Sequence, residues 1–356
     1  MNKSITAAEG MTIGLDLGDK TTQCCALDDS GEVEETFRVR TTTSALSKRF
    51  SRMAPCRVVL EVGTHSPWVS RLLSSLGHEL IVANPRRVRL ISANDSKNDA
   101  VDAELLARLG RTDPKLLSPI THRGQEAQKD LVLLRNRDGF VRSRTRLINQ
   151  ARGFAKALGD RLPSSSSEAF PKRVREARKA DVFPGLEVLL QLIDSLSAAI
   201  GEMDREVERV SRERYPETML LRQIKGVGPL TALCFILTLE DPHRFKKSRS
   251  VGAYLGLRPR QHASGEQQPQ LRITKAGDEM LRRYLVNASH YILGPFGPDA
   301  TLRRFGLRLA ERGGRSAKKR AAVAVARRLA VLLHRLWVTG EEYQPLGYGT
   351  AVSKAA

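Results

Sequence analysis

Aromatic residues are scarce in this chain of 356 residues: Phe, Trp and Tyr together make up 5%. Recognition of a partner mainly by ring stacking is therefore not expected. Cysteine is rare too, with four at Cys24, Cys25, Cys56 and Cys234, and their spacing fits neither a disulfide framework nor a metal knuckle. They read as small core residues of a reduced, cytoplasmic protein. The seven histidines are scattered and outline no zinc site. No apolar run is long enough to span a bilayer, and the stretch MNKSITAAEG leads into a strand without the apolar core of a signal peptide. No membrane partner is expected. Acid is also in short supply, 39 Asp and Glu against 59 Lys and Arg, for a net charge of +20. That balance points to a polyanionic partner, nucleic acid first.

What is present suits a folded protein of two or three domains, with an ordinary 41% of hydrophobic residues. TIGLDLG, TTQCCALDD and VEETFRVR read as three strands of an antiparallel meander. A helix is expected from Ser44 to Met53. CRVVLEVG and HELIVANP read as buried strands, separated by the helix SPWVSRLLSSLG. A helix from Lys97 to Leu109 closes the unit. Three meander strands followed by strands alternating with helices is the order of a ribonuclease H-like (RuvC-like) mixed α/β sheet.

Beyond it the pattern turns helical and basic, with Arg135, Arg137, Arg142, Arg144, Arg146 and Arg152. Apolar residues at Leu186, Leu189, Ile193, Leu196, Ile200, Met203, Val207 and Val210 alternate three and four apart. They form a coiled-coil seam, closed either by the preceding helix or by another protomer; a single amphipathic helix on its own domain is the plainer alternative. The segment LLRQIKGVGPLTALCFILTL reads as helix, glycine turn, helix, and Thr274 to Leu293 as a further helix. The polar tail after Trp337 is expected to be loosely ordered. The expected domains are 1–118 (RuvC-like), 119–215 (basic coiled-coil helices), 216–340 (mainly helical, with the glycine hairpin) and a tail, 341–356.

Four carboxylates stand out. Asp16 and Glu61 each sit in an apolar strand, where an unpaired charge is costly and a divalent cation is one remedy. Asp99 and Asp102, three apart, share one helix face. Alone, Asp16 is equally a strand-end turn residue, and Asp99 and Asp102 a solvated helix N-terminus. Asp95 is a rival one turn earlier. Together, hard oxygen donors of this kind suit magnesium beside a scissile phosphate.

The ordered segments GLDLG, LEVGTHSPW, ANPRRVRLISANDSKNDAVDAELLA, IKGVGPLTA, VGAYLGLRPRQHASGEQQ and ITKAGDEMLRRYL, spread over about residues 11 to 335, resemble DEDD-type insertion-sequence transposases, the IS-one-ten and Piv/MooV-like family. The resemblance implies a RuvC-like domain, a coiled coil and a C-terminal transposase domain. It carries the four acidic positions onto Asp16, Glu61, Asp99 and Asp102, and a nucleophilic serine onto Ser264. It further implies donor and target DNA as partners and a structured guide RNA from the element. The acid the family places before that serine is Ala263 here. On its own, a serine in the polar loop HASG is a turn residue. As a nucleophile it would form a phosphoserine link and free a hydroxyl on the other DNA end.

Further phosphate contacts are expected from Gly226 and Gly228, read as a helix-hairpin-helix turn. Arg258, Arg260, Arg272 and Lys275 flank Ser264, Arg282 and Arg283 are further candidates for nucleic-acid contact, and Arg315, Lys318, Lys319 and Arg320 form a flexible basic clamp. A plain glycine turn and a solvated charge run are the alternatives. Because Ser264 and the acids lie far apart in sequence, composite sites in a dimer or tetramer are expected. The competing functions are a hydrolytic RuvC-like junction nuclease in which Ser264 is a bystander, and a non-catalytic nucleic-acid scaffold.

Overall fold

A computed structural model describes residues 10–85, 98–177, 179, 181–261, 271–314 and 316–347. Its contacts divide the chain into two compact units that meet between Gly124 and Gln125.

Alternation builds the first unit. In strand β1 (Thr12–Leu17), Ile13 and Leu15 are fully buried on one face, while Gly14 and Asp16 point to the other. Strands β2 (Thr21–Leu27), β3 (Val33–Arg40), β4 (Arg57–Glu61) and β5 (Glu79–Ala83) complete a sheet of order β3-β2-β1-β4-β5. The first three pair antiparallel; β1, β4 and β5 run parallel. This is the expected ribonuclease H-like order. Helices α1 (Thr43–Phe50) and α2 (Ser66–Ser75) cover the Ile13 and Leu15 face through Leu46, Phe50, Val69 and Leu73. Helix α3 (Asp99–Thr112) covers the other through Ala103, Leu106 and Ala107, against Cys25, Leu27, Val59 and Ile81. It starts at Asp99 because the Asn98 side chain accepts from the Ala100 amide at 3.1 Å, a standard helix cap.

The second unit is helical. Helices α4 (Gln125–Ala157) and α6 (Leu186–Glu213) lie antiparallel, with the short α5 (Phe170–Glu176) between them in sequence. A ladder of polar contacts fixes their register: Arg137 to Asp204 at 2.6 Å, Arg144 to Ser197 at 3.1 Å and Arg214 to Asp130 at 2.8 Å. Of the expected seam, Leu186, Ile193, Ile200, Val207 and Val210 are buried. Leu190 is buried where the spacing pointed to Leu189, and Leu189, Leu196 and Met203 are only half-buried.

Helix α7 (Glu217–Leu221) leads to α8 (Pro229–Leu239), which is buried on every side from Thr231 onward, as an all-round apolar helix must be. Helices α9 (Arg249–Tyr254), α10 (Glu279–Leu293), α11 (Thr301–Glu311) and α12 (Ala317–Thr339) complete the unit, and Phe235, Leu281, Leu285, Leu329 and Leu333 share its core. Helix α10 begins at Glu279 rather than Thr274, because Asp278 caps it and Lys275 and Gly277 adopt positive φ. The segment after α12 is not loose throughout. The Thr301 amide, at the opening of a helix that lacks a capping side chain, donates to the Pro345 carbonyl at 2.8 Å. Among the described residues no helix is long and apolar enough to cross a membrane.

Candidate active site

Parallel register brings two acids abreast. Leu15 pairs with Leu60, so the next residues along β1 and β4 are Asp16 and Glu61, on strands about 4.8 Å apart. Both are half-buried at the C-terminal ends of their strands, and both leave the Leu15 and Leu60 face for the one covered by α3.

Small residues set the position of α3. A β-carbon on Gly14 would lie 1.9 Å from the Ala103 carbonyl oxygen and 2.6 Å from the Ala107 amide nitrogen. One on Gly110 would lie 2.2 Å from a Val59 methyl. The helix therefore rests directly on the strand backbone. Its C-terminal end is fixed at the start of the strands: Arg57 donates to the Gly110 carbonyl at 3.1 Å, and Arg111 to the Gly10 carbonyl at 3.0 Å. The first turn, with Asp99 and Asp102, accordingly lies toward the strand ends that carry Asp16 and Glu61. Asp102 is half-buried and Asp99 exposed. Both also gain from the positive end of the helix dipole.

The four acids thus share one edge and one face of the sheet. Among the described residues, however, no three His, Cys, Asp or Glu side chains come close enough together to hold a metal ion. The donor chemistry of Asp16 and Glu61 fits a magnesium ion, which takes one or two carboxylates and completes its shell with water and substrate phosphate.

The loop after Glu61 holds further polar residues that no motif in the sequence singles out. The Ser66 hydroxyl is buried, accepts from the Gly63 amide at 3.0 Å and donates to the Gly63 carbonyl at 2.9 Å. Its one proton is thereby committed, so His122 Nε2, 2.9 Å away, donates to it. Burial, then the charges of Arg71 and Arg123, hold the His122 imidazole below its ordinary pKa. Next to Ser66, His65 Nδ1 accepts from the Trp68 indole at 3.1 Å, which leaves Nε2 to carry the proton in the neutral ring. That Nε2 is 3.6 Å from an Asp19 carboxylate oxygen, which sets this loop beside the turn after Asp16. The signal was in THSPW, a histidine four residues beyond a strand-end acid.

In the second unit, Arg258, Arg260, Arg272 and Lys275 are exposed around a short antiparallel ladder. There the Arg260 amide donates to Arg272 and the Thr274 amide to Arg258, each at 2.9 Å. Arg258 also donates to Gln261. Arg282 corrects an expectation. It is 9% exposed, and its guanidinium donates to the carbonyls of Leu255, Ala276 and Gly277. Facing inward, it braces the turn before α10 and offers nothing to an external phosphate. Arg283 is half-exposed and pairs with Asp138 at 2.7 Å.

The glycine turn divides its roles. Gly226 has φ +100°, and a β-carbon there would lie 2.9 Å from the Tyr291 ring, so its bareness serves internal packing. Gly228 opens α8, and the space a β-carbon would fill is open. Lys318, Lys319 and Arg320 are exposed in the first turn of α12, on a helix rather than a flexible clamp. That turn has no acid, so three cations stand at the positive end of a helix dipole, an arrangement an external anion relieves. Ser264, Arg315 and Asp95 lie outside the described residues.

Comparison with known proteins fits this arrangement. A DEDD transposase family model matches residues 13–158, and the model for the transposase IS116/IS110/IS902 family matches residues 218–299. The transposase for insertion sequence element IS1111A of Coxiella burnetii is 28% identical over 340 residues, covering 93% of this chain and 91% of its own length. The transposase-like y4pF/y4sB of Sinorhizobium fredii is 30% identical over 316 residues, 86% of this chain and 79% of its own. The transposase for insertion sequence element IS1328 of Yersinia enterocolitica is 29% identical over 283 residues, covering 78% of this chain and 82% of its own length.

Proposed function

The chain belongs to the IS116/IS110/IS902 family of insertion-sequence transposases, and on that footing we propose that it cuts and rejoins DNA through a serine-linked intermediate at the carboxylate edge. The observation that carries the reading is the placement of Asp16 and Glu61 abreast on a ribonuclease H-like sheet, with the first turn of α3 at the same edge.

Asp16 and Glu61, joined by Asp99 and Asp102, would hold a divalent cation such as magnesium, which supplies Lewis acidity at the scissile phosphate. Ser264 is the nucleophile. Its Oγ–P bond forms as the bond from phosphorus to one deoxyribose oxygen breaks; the serine proton passes to a base, and the leaving oxygen takes up a proton from water. The phosphoserine link conserves the energy of the phosphodiester, so attack by a second strand's hydroxyl restores the diester and frees Ser264. Arg258, Arg260, Arg272 and Lys275 bind the flanking phosphates. Lys318, Lys319 and Arg320 bind phosphates farther along the nucleic acid. Sequence choice is delegated to a guide RNA that pairs with donor and target DNA, which suits a chain so poor in aromatic residues.

The acids and Ser264 come from different protomers of a dimer or tetramer. Mixing Asp16→Ala with Ser264→Ala protein then restores recombination, and mixtures that stay inactive while both variants assemble and bind DNA contradict the shared site.

The reading is tested by trapping. Labelled element DNA, the cognate RNA and magnesium give a denaturant-resistant protein–DNA adduct with the native chain and none with Ser264→Ala. If Ser264→Ala cleaves DNA at the native rate without an adduct, the enzyme is a hydrolytic nuclease instead.

A further inference from the structure

We propose that the cleft beside the glycine turn of the second unit takes one unpaired nucleotide of a nucleic-acid strand, with its phosphate at the N-terminus of α8 and its base against Tyr291. The inference rests on the nucleic-acid reading above and goes beyond a duplex backbone contact.

The cleft has a volume of about 370 Å³ and is lined by Arg137, Gly228, Leu230, Tyr284, Asn287 and Tyr291, among others. That is at the small end of the roughly 300–1,000 Å³ of ligand pockets. At one wall α8 begins with no side chain capping its first amides, and Gly228 leaves open the space a β-carbon would fill. Free amides at a helix start favour an anion.

Tyr284 points to a ligand independently. It is 9% exposed, it lines the cleft, and its hydroxyl has no hydrogen-bond partner among the described residues. A buried hydroxyl left unpaired costs free energy, which a ligand acceptor recovers. Burial pushes its pKa up to about 12, so it keeps its proton and remains a donor at neutral pH. Arg137 brings a cation to the same cleft while Asp204 holds its Nε and Nη2.

A phosphate alone leaves the rest of the lining without a purpose. Tyr291 is 45% exposed, and Asn287 stands exposed one helical turn before it on α10. A ring beside an amide that both donates and accepts suits the face and the edge of a base. In a duplex those faces are stacked and those edges paired, so the occupant is an unpaired nucleotide.

The test uses the full chain and probes of one sequence: a DNA single strand with one 2-aminopurine, the matching RNA strand and the blunt DNA duplex. Binding is read by anisotropy and base stacking by 2-aminopurine emission. Tyr291→Ala should weaken single-strand binding about 5- to 160-fold, the range of one lost base–aromatic stack, and duplex binding less than about 2-fold. Asn287→Ala should act in the same direction. Tyr284→Phe should also weaken single-strand binding while the Tm stays level or rises, because it removes a hydroxyl that has no partner among the described residues. The emission change seen with the native chain should vanish with Tyr291→Ala, and the DNA and RNA arms show which strand is held. Equal losses on single strand and duplex would reduce the cleft to a backbone contact and overturn the proposal. So would unchanged single-strand binding in all three variants, or a Tyr284→Phe chain that loses stability but not affinity. If the native chain binds none of the probes, the nucleic-acid reading fails as well; if it binds and the variants match it, only the cleft does.

Discussion

Gly14 and Ala103 meet backbone to backbone: a β-carbon on the glycine would stand 1.9 Å from the alanine carbonyl oxygen. This contact sets how α3 lies on the sheet and hence where Asp99 and Asp102 stand relative to Asp16 and Glu61.

Gly14→Ala must push α3 off β1. The expected loss is about 1–3 kcal/mol, the usual cost of overpacking a core, together with loss of DNA cleavage. Chemical denaturation measures the first and a cleavage assay the second. Gly139→Ala is the control, since nothing lies within 4 Å of the added carbon and the site is inside α4. It should stabilise by roughly 0.5–1 kcal/mol.

Arg282 and Arg260 should separate folding from binding. Arg282→Ala leaves the carbonyls of Leu255, Ala276 and Gly277 without this donor and should cost about 1–3 kcal/mol of stability. Arg260 is exposed. Arg260→Ala should leave the Tm unchanged, weaken DNA binding and lower the salt slope of log affinity by about 1. Anisotropy titrations across a salt series, beside thermal melts, check both.

His122 makes stability depend on pH. Its pKa is lowered in the folded chain, chiefly by burial, so the unfolded chain binds more protons below the ordinary histidine value of about 6.5. The stabilisation is full above that value and is lost as pH falls through the folded pKa. His334 is shifted the same way, again chiefly by burial, and adds to the trend. The unfolding midpoint should therefore fall between about pH 7 and pH 5. His122→Gln retains an amide donor for Ser66 and should flatten part of that slope.

The sheet was legible because period-two burial is written into TIGLDL and RVVLE, and the four acids because charge inside or beside apolar runs is conspicuous. The direction of Arg282 was not legible. Its charge looks like its neighbours', and only the tight packing of Gly256 against Ala276 and of Gly277 against Tyr254 brings carbonyls within its reach. Tyr284 lies in phase with the apolar stripe of Leu281, Ala288 and Ile292, which hides a polar role, and its unpartnered hydroxyl emerges only from the packing. His65 and Asp19 meet across two loops, a pairing that no local spacing encodes.

The proposed catalytic edge rests on Asp16 and Glu61. It is tested most directly by cleavage of element DNA, with the cognate RNA and magnesium, by Asp16→Asn and Glu61→Gln protein whose fold and DNA affinity are measured alongside. Each is expected to lose at least about 100-fold in cleavage rate while remaining folded and bound to DNA. Cleavage near the native rate by either folded, DNA-bound variant would contradict it.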